Sequence, residues 1–270
     1  MIRSIMLTDS SSLDAAKATG TAAFSKFMAV LQLVADANEP PTIARLTAAS
    51  GYPRPTVYRI VGALIAEGLV VESARGGCYA LGPRLMSLAS RSWERSDLRI
   101  AATDALQALR DATQETVHLA VRSASEMVYI EKLESPHAVR MASRIGTRVT
   151  LYSSSVGKAY LSTLAPAERD VLLQGIAFER FTPNTIVDRA ALDAELDETH
   201  ARGYSEDREE NEAQIFCYGS AIVGANGATL GCVSVSIPLF RKSATPLETY
   251  VAPLREACRA IAQRMSPGTR

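Results

Sequence analysis

Residues 51–71 read Gly51-Tyr52-Pro53-Arg54-Pro55-Thr56-Val57-Tyr58-Arg59-Ile60-Val61-Gly62-Ala63-Leu64-Ile65-Ala66-Glu67-Gly68-Leu69-Val70-Val71. They predict a turn, a helix and a strand in that order. Gly51 supplies a left-handed turn residue, and the prolines suit the first turn of a helix. Val57, Ile60, Val61, Leu64 and Ile65 recur at helical spacing and form the buried stripe. Gly68 ends the helix. Upstream, Thr42 to Ala49 carries Ile43 and Leu46 on one face, so a short helix precedes the turn. Further upstream, Phe24, Phe27, Met28, Leu31 and Val34 mark an amphipathic helix over 21–37, stopped by Asn38 and Pro40-Pro41. Short helix, glycine-containing turn and longer helix make a helix-turn-helix. Downstream, Leu69-Val70-Val71, the turn Ala74-Arg75-Gly76-Gly77 and Cys78-Tyr79-Ala80-Leu81 form a glycine-tipped hairpin, the wing.

Burying Val57, Ile60 and Leu64 turns Arg54, Thr56, Tyr58 and Arg59 outward near the start of the third helix. In a recognition helix that end meets base edges and phosphates, with arginine able to pair bidentately with guanine. Arg75, at the wing tip, is placed to reach the adjacent backbone or minor groove. The alternative is a winged helix that docks on proteins, its arginines merely solvated.

The chain has 270 residues, enough for two ordinary domains, and its 47% hydrophobic content is that of a globular protein. Net charge is zero, yet residues 1–95 hold ten Lys/Arg against seven Asp/Glu, and the remainder is acidic. A basic N-terminal third fits a nucleic-acid-binding module joined to a second domain of another kind. Cys78, Cys217, Cys232 and Cys258 are far apart and form no C-x-x-C pair, which excludes a disulfide framework or zinc knuckle as a natural reading. A reducing, cytoplasmic setting follows, and no apolar run is long enough for a membrane span. Residues 1–20 turn polar after Met6-Leu7 and are expected to be a disordered leader.

No phosphate-loop, nucleophile-elbow, zinc-protease or dinucleotide motif occurs, and His118, His137 and His200 are scattered. No catalytic residue, cofactor or metal is therefore expected. Ser234 and Ser236 sit two apart in a strand and share a face with Cys232, while Val233 and Val235 face the other way. Asn226-Gly227 is a strong hairpin turn that pairs this strand with residues 214–223 and brings in Cys217. Ser153-Ser154-Ser155-Val156 leads into a helix at about Gly157, whose free N–H groups favour an anion. Two serines and a cysteine on one strand face suggest a small polar cavity; the alternative is the solvated face of an edge strand. The run Glu206-Asp207-Arg208-Glu209-Glu210 is of a composition that usually faces solvent.

Taken as an ordered set, these segments resemble the isocitrate lyase regulator (IclR) family of bacterial transcription factors. The matching residues are Ser50 to Arg59, Ala63-Leu64-x-x-Glu67-Gly68-Leu69-Val70 and Tyr79-x-Leu81-Gly82-Pro83-Arg84-Leu85. They continue through Glu115-Thr116-Val117-His118-Leu119-Ala120, Val128 to Lys132, Arg144-Ile145-Gly146 and Ser155 to Leu161. Thr182 to Ile186, Gly203-Tyr204-Ser205, Glu209-Glu210, Cys217 and Ser234-Val235-Ser236 complete the set.

The resemblance implies an α+β chain: a winged helix-turn-helix over 21–83, a linker helix over 84–98, and a GAF-like sensing domain with a central antiparallel sheet over 99–266. The chain's single tryptophan, Trp93, falls on that linker, where it either anchors a dimer contact or packs on its own domain; the sequence does not choose between the two. The resemblance implies a regulator that binds a DNA operator as a dimer or dimer of dimers and senses a small effector, often an organic acid. Effector positions carried over from the family are Ser155, Val156, Asp207, Cys217, Ser234 and Ser236, with Met141 and Leu151 expected in the apolar wall. Relatives usually have glycine where Gln214 stands, and Tyr218 also departs from their pattern; the sequence leaves open whether the two alter or close the cavity. A sensor acting through protein partners without DNA is the remaining alternative.

Overall fold

The computed structural model describes residues 10–74, 76–94 and 96–266, in two compact units that divide after Arg95. Residues 1–9, Arg75 and the side chain of Trp93 lie outside the described residues. Among the described residues no helix is long and apolar enough to cross a membrane.

The first unit is the winged helix-turn-helix. Its helices are α1 (Ser10–Asp36), α2 (Ile43–Ser50) and α3 (Arg54–Ala66), followed by β1 (Val70–Glu72), β2 (Tyr79–Leu81) and α4 (Pro83–Glu94). Helix α1 starts eleven residues before the expected boundary, so residues 10–20 belong to it rather than to a disordered leader. Leu13, Ala15, Ala16, Lys17 and Ala18 are strong helix formers, which favours helix over this stretch. Thr42 caps α2 by accepting from the Arg45 N–H, and Gly51 closes it at φ 67°. Val30, Val34, Leu46, Val57, Ile60, Leu64 and Val70 make the core. The wing pairs Val70 with Leu81 and Glu72 with Tyr79, and a bridge from Thr42 to Cys78 ties it to the start of α2.

The linker helix expected over 84–98 is two helices. Helix α4 ends at Glu94, and α5 (Asp97–Thr113) begins at the Ser96 cap, whose hydroxyl accepts from the Arg99 N–H. A capping serine followed by Asp97 in the first turn is a helix start, not a helix interior. Leu98 accordingly belongs to the core of the second unit.

That second unit is built on an antiparallel sheet. Its strands are β3 (Thr116–Ser123), β4 (Glu126–Leu133), β5 (Arg148–Thr150), β6 (Ser205–Arg208), β7 (Ile215–Val223) and β8 (Thr229–Pro238). Among the described residues they lie in the order β5-β4-β3-β8-β7-β6. One face is apolar: Val117, Leu119, Tyr218, Val233, Val235 and Ile237 pack on α5 and on α9 (Ala252–Arg264) through Leu106, Leu109, Leu254 and Ile261. The other face meets α6 (Ser155–Leu161) and, beyond it, α8 (Arg189–Arg202), with Leu151, Val156, Leu192 and Leu196 buried between them. Helix α7 (Pro166–Leu173) flanks this layer, and its Arg169 donates to the Leu161 and Leu164 carbonyls.

Helix α6 lies so close to the sheet that β7 needs a glycine beneath it. A Cβ on Gly219 would stand 2.5 Å from Ser205 Oγ and 2.6 Å from the Ser155 carbonyl oxygen. Such overpacking against backbone costs about 1–3 kcal/mol. Gly219→Ala is therefore expected to lower the melting temperature of the second unit in a thermal-unfolding measurement while leaving the secondary-structure content unchanged.

Candidate functional site

Two surfaces carry chemistry. On α3, Val57, Ile60, Val61 and Leu64 face the core, which leaves Arg54, Tyr58 and Arg59 exposed and Thr56 half-buried. Alternation at 3.6 residues per turn puts all four on or near the first turn and a half of the helix. The Arg54 guanidinium lies 5.7 Å from the centroid of the Tyr58 ring, a cation–π contact that orders both side chains without using up the arginine's donors. The wing that carries Arg75 is held by Gly77 N–H donating to the Glu72 carboxylate, 2.6 Å.

The second surface is a cavity of about 290 Å³ on the polar face of the sheet. It owes its existence to the β3–β8–β7–β6 register. His118 of β3 sits opposite Ser234 of β8, Ser236 is opposite Cys217 of β7, and Cys217 is opposite Asp207 of β6. Strand alternation sends these side chains to one side, and their apolar neighbours to the α5/α9 side. From β3 and β4 come His118 and Tyr129, whose rings stack with centroids 4.2 Å apart. Val149 adds an apolar patch, and Ser154 and Ser155 enter from the start of α6.

Residues 141–147 run across the cavity as its outer wall, contributing Met141, Ala142, Ser143 and Thr147. Lys132 Nζ pins this segment by donating to the carbonyls of Met141, 2.8 Å, and Ser143, 2.6 Å. The backbone reinforces it, with Gly146 N–H on the Tyr129 carbonyl and Tyr129 N–H on that of Thr147.

Polar groups of the wall form one chain. Ser143 Oγ lies 2.8 Å from His118 Nε2, His118 Nδ1 lies 3.4 Å from Ser236 Oγ, and Cys217 Sγ donates to Ser236 Oγ, 3.2 Å. Burial, seconded by the Lys132 ammonium, lowers His118 to about 3, so its imidazole is neutral at physiological pH. Burial raises the Cys217 thiol well above its ordinary value, which makes it a hydrogen-bonding group rather than a nucleophile.

Asp207 is the buried acid of the site. Its Oδ1 accepts from the N–H groups of Glu210, 2.7 Å, and Asn211, 3.3 Å. Burial nevertheless pushes its carboxyl up to about 7, against the opposing pull of those N–H bonds and of Lys158. Behind it, the fully buried Lys158 Nζ is 2.6 Å from Glu210 and 4.0 Å from Glu195, and Arg202 and Arg208 also hold Glu195. This ionic cluster packs α6, α8 and the chain after β6 together at the cavity's floor.

Of the residues expected at an effector site, Met141, Ser155, Asp207, Cys217 and Ser236 line this cavity together. Leu151 and Val156 are fully buried in the apolar layer beneath α6 and do not reach it. Ser234 is also outside the lining: it is 1% exposed, and its Oγ has no hydrogen-bond partner among the described residues. β8 is a central strand, which disposes of the solvated-edge alternative. Neither Gln214 nor Tyr218, the two departures from the family pattern, lines the cavity. Gln214 is exposed at φ 66°, the left-handed conformation that suits glycine, with its amide on Glu209. Tyr218 points to the opposite face and stacks on Tyr250, 5.8 Å between centroids.

Tyr129, Ser143, Thr147 and Asn211 also line the cavity without having been expected there, and His118 joins Cys217 on the same wall. Their placement depends on the β3–β8 pairing and on the path of residues 141–147, neither of which is a local property of the chain. Period two along β3, which puts Thr116, His118 and Ala120 on one face, is the one signal that points to His118.

The chain matches the model of the IclR helix-turn-helix domain over residues 24–74 and that of the bacterial transcriptional regulator IclR C-terminal domain over residues 90–263. It is 34% identical over 210 residues to the HTH-type transcriptional regulator KdgR of Escherichia coli K12, covering 78% of this chain and 80% of that one. The crystal structure of Thermotoga maritima IclR superposes with a TM-score of 0.69 at 29% identity, covering 92% of this chain and 99% of that one. An IclR homologue from Microbacterium hydrocarbonoxydans complexed with 4-hydroxybenzoate gives 0.75 at 25% identity, over 90% and 98% of the two chains. These proteins are transcriptional regulators rather than enzymes. Two domain models covering most of the chain, in the order the fold requires, place it in the IclR family of bacterial transcriptional regulators.

Proposed function

We propose that this chain binds an operator through α3 and the wing, and that a small carboxylate held in the cavity on the second unit sets its operator affinity. The observation that carries the reading is the cavity itself: about 290 Å³, bounded on its outer side by residues 141–143 and Thr147, with Ser155, Asp207, Cys217 and Ser236 converging on it. That volume suits an acid of a few carbons or a single ring. The 4-hydroxybenzoate held by the Microbacterium homologue is an aromatic acid of this size class, which supports the choice of ligand.

On the DNA side, Arg54 and Arg59 are the base-reading groups, Thr56 and Tyr58 contact the phosphates, and Arg75 extends the contact from the wing. Exposed arginines at the start of α3 favour this over a sensor that works only through protein partners. A homodimer or dimer of dimers would set two such helices into successive major grooves of a roughly palindromic site. An effector changes operator affinity only through a difference in its own affinity for two arrangements of the protein. Typical couplings of about 1–3 kcal/mol change affinity roughly 5–150-fold.

A thermal-shift panel of small aliphatic and aromatic carboxylates tests the cavity. A ligand at about 100 times its Kd stabilises by about 2.7 kcal/mol, a clear rise in Tm. Ser236→Ala removes the hydroxyl shared by Cys217 and His118 and is expected to weaken the same ligand by about 0.5–1.5 kcal/mol. An unchanged shift in that variant would sink the assignment. Arg59→Ala is expected to lower affinity for an operator selected from random DNA and to flatten its salt dependence, while keeping the full thermal shift. Equal loss of DNA and ligand binding in that variant would contradict separate sites.

A further inference from the structure

For a site that takes a carboxylate, the cavity has the wrong charge. Asp207 is in its wall and Glu212 at its exposed rim, and among the described residues neither lysine nor arginine lines it. The ammonium groups beside it are already engaged. Lys132 Nζ is bound to two carbonyls and to Glu134, and Lys158 Nζ to Glu210. An anion placed beside an ionised Asp207 in this enclosure meets like-charge repulsion with no cation to offset it.

A protonated Asp207 reverses the sign. Its Oδ1 keeps the N–H groups of Glu210 and Asn211, and its Oδ2, which accepts no hydrogen bond among the described residues, gains a proton to offer. An O–H donating to a carboxylate is a short, charge-assisted hydrogen bond. We propose that the cavity binds its carboxylate together with one proton, which Asp207 carries and donates to the ligand in a hydrogen bond. The proposal rests on the cavity being the carboxylate site.

The groups that face Asp207 are few. Lys158 approaches from α6, Glu210 and Glu212 from the chain after β6, Cys217 from β7 and Tyr129 from β4. Burial holds the Cys217 thiol and the Tyr129 phenol protonated, and His118 titrates near 3, so none of these three takes up a proton near neutrality. Burial, the largest influence on Asp207, keeps the acid half-protonated close to pH 7. The sign follows: below about pH 7 the proton is already in place, and above it the proton must be acquired from solvent. If only the protonated form binds, apparent Kd scales inversely with its population and weakens about tenfold between about pH 6 and 8.

The test is isothermal titration calorimetry of the full chain with 4-hydroxybenzoate, benzoate and lactate, whose carboxyls are ionised throughout that range. Titrations at about pH 6 and 8, in buffers of different ionisation enthalpy, read both affinity and proton uptake. The expected result is about tenfold tighter binding at the lower pH, with close to one proton taken up at the higher. Asp207→Asn, a permanent donor of the same shape, is expected to bind with pH-independent affinity and no proton uptake. Carboxylate binding to the wild-type chain with flat affinity and no uptake would overturn the proton coupling and leave the site standing. Absence of binding by all three acids, at both pH values and in both proteins, would instead overturn the carboxylate site and the coupling with it.

Discussion

The register of β8 between β3 and β7 is the constraint on which the second unit depends. Both neighbours are paired along it, Ser236 with Thr116 and Cys217, Ser234 with His118 and Gly219. Because side chains alternate with a period of two, a slip by one residue would send Val233, Val235 and Ile237 into the cavity and Ser234 and Ser236 into the α5/α9 core. A slip would strip the Ser236 hydroxyl of Cys217 and His118 and expose three apolar side chains to the cavity, so the pattern enforces its own register. The same pairing sets a neutral imidazole, a thiol and a carboxyl side by side on one face.

The cavity then needs a floor and an outer wall. Helix α6 supplies part of the floor by lying directly over Gly219, and its buried Lys158 joins it to Glu210 and Glu195. A buried ion pair contributes little net stability against an apolar alternative, but removing one partner leaves a charge stranded. Its value here is positional: Glu210 also donates its N–H to Asp207, so the cluster and the site acid share one stretch of backbone. The outer wall hangs on Lys132, which lies behind it, and on the Ser143–His118 contact, whose two residues line the cavity.

The winged helix was legible from the sequence almost residue by residue, because caps, glycine turns and helical stripes are local. So was the split of β8 into an apolar and a polar face, and the hairpin at Asn226-Gly227. Local signals misled where a polar stretch continued a helix, as at Ser10–Gly20, and where Ser96-Asp97 broke an otherwise apolar periodicity into two helices. Composition also misled at Asp207 and Glu210, charged residues in a run that reads as surface, yet themselves only 4% and 2% exposed. Burial there is set by β6 pairing and by Lys158, fifty residues away, which no window along the chain contains. For the same reason no window along the chain brings His118 and Ser143 together, or separates Ser234, outside the cavity lining, from Ser236 within it.

Hydrogen–deuterium exchange, with and without the tightest-binding carboxylate of the panel, measures most directly whether the ligand sits where the sheet register puts it. Protection is expected in peptides spanning residues 141–147, 205–217 and 232–238, the outer wall, the acid and the serine strand. Protection confined to other parts of the second unit, with these three segments unchanged, would contradict a carboxylate site on the polar face of the sheet.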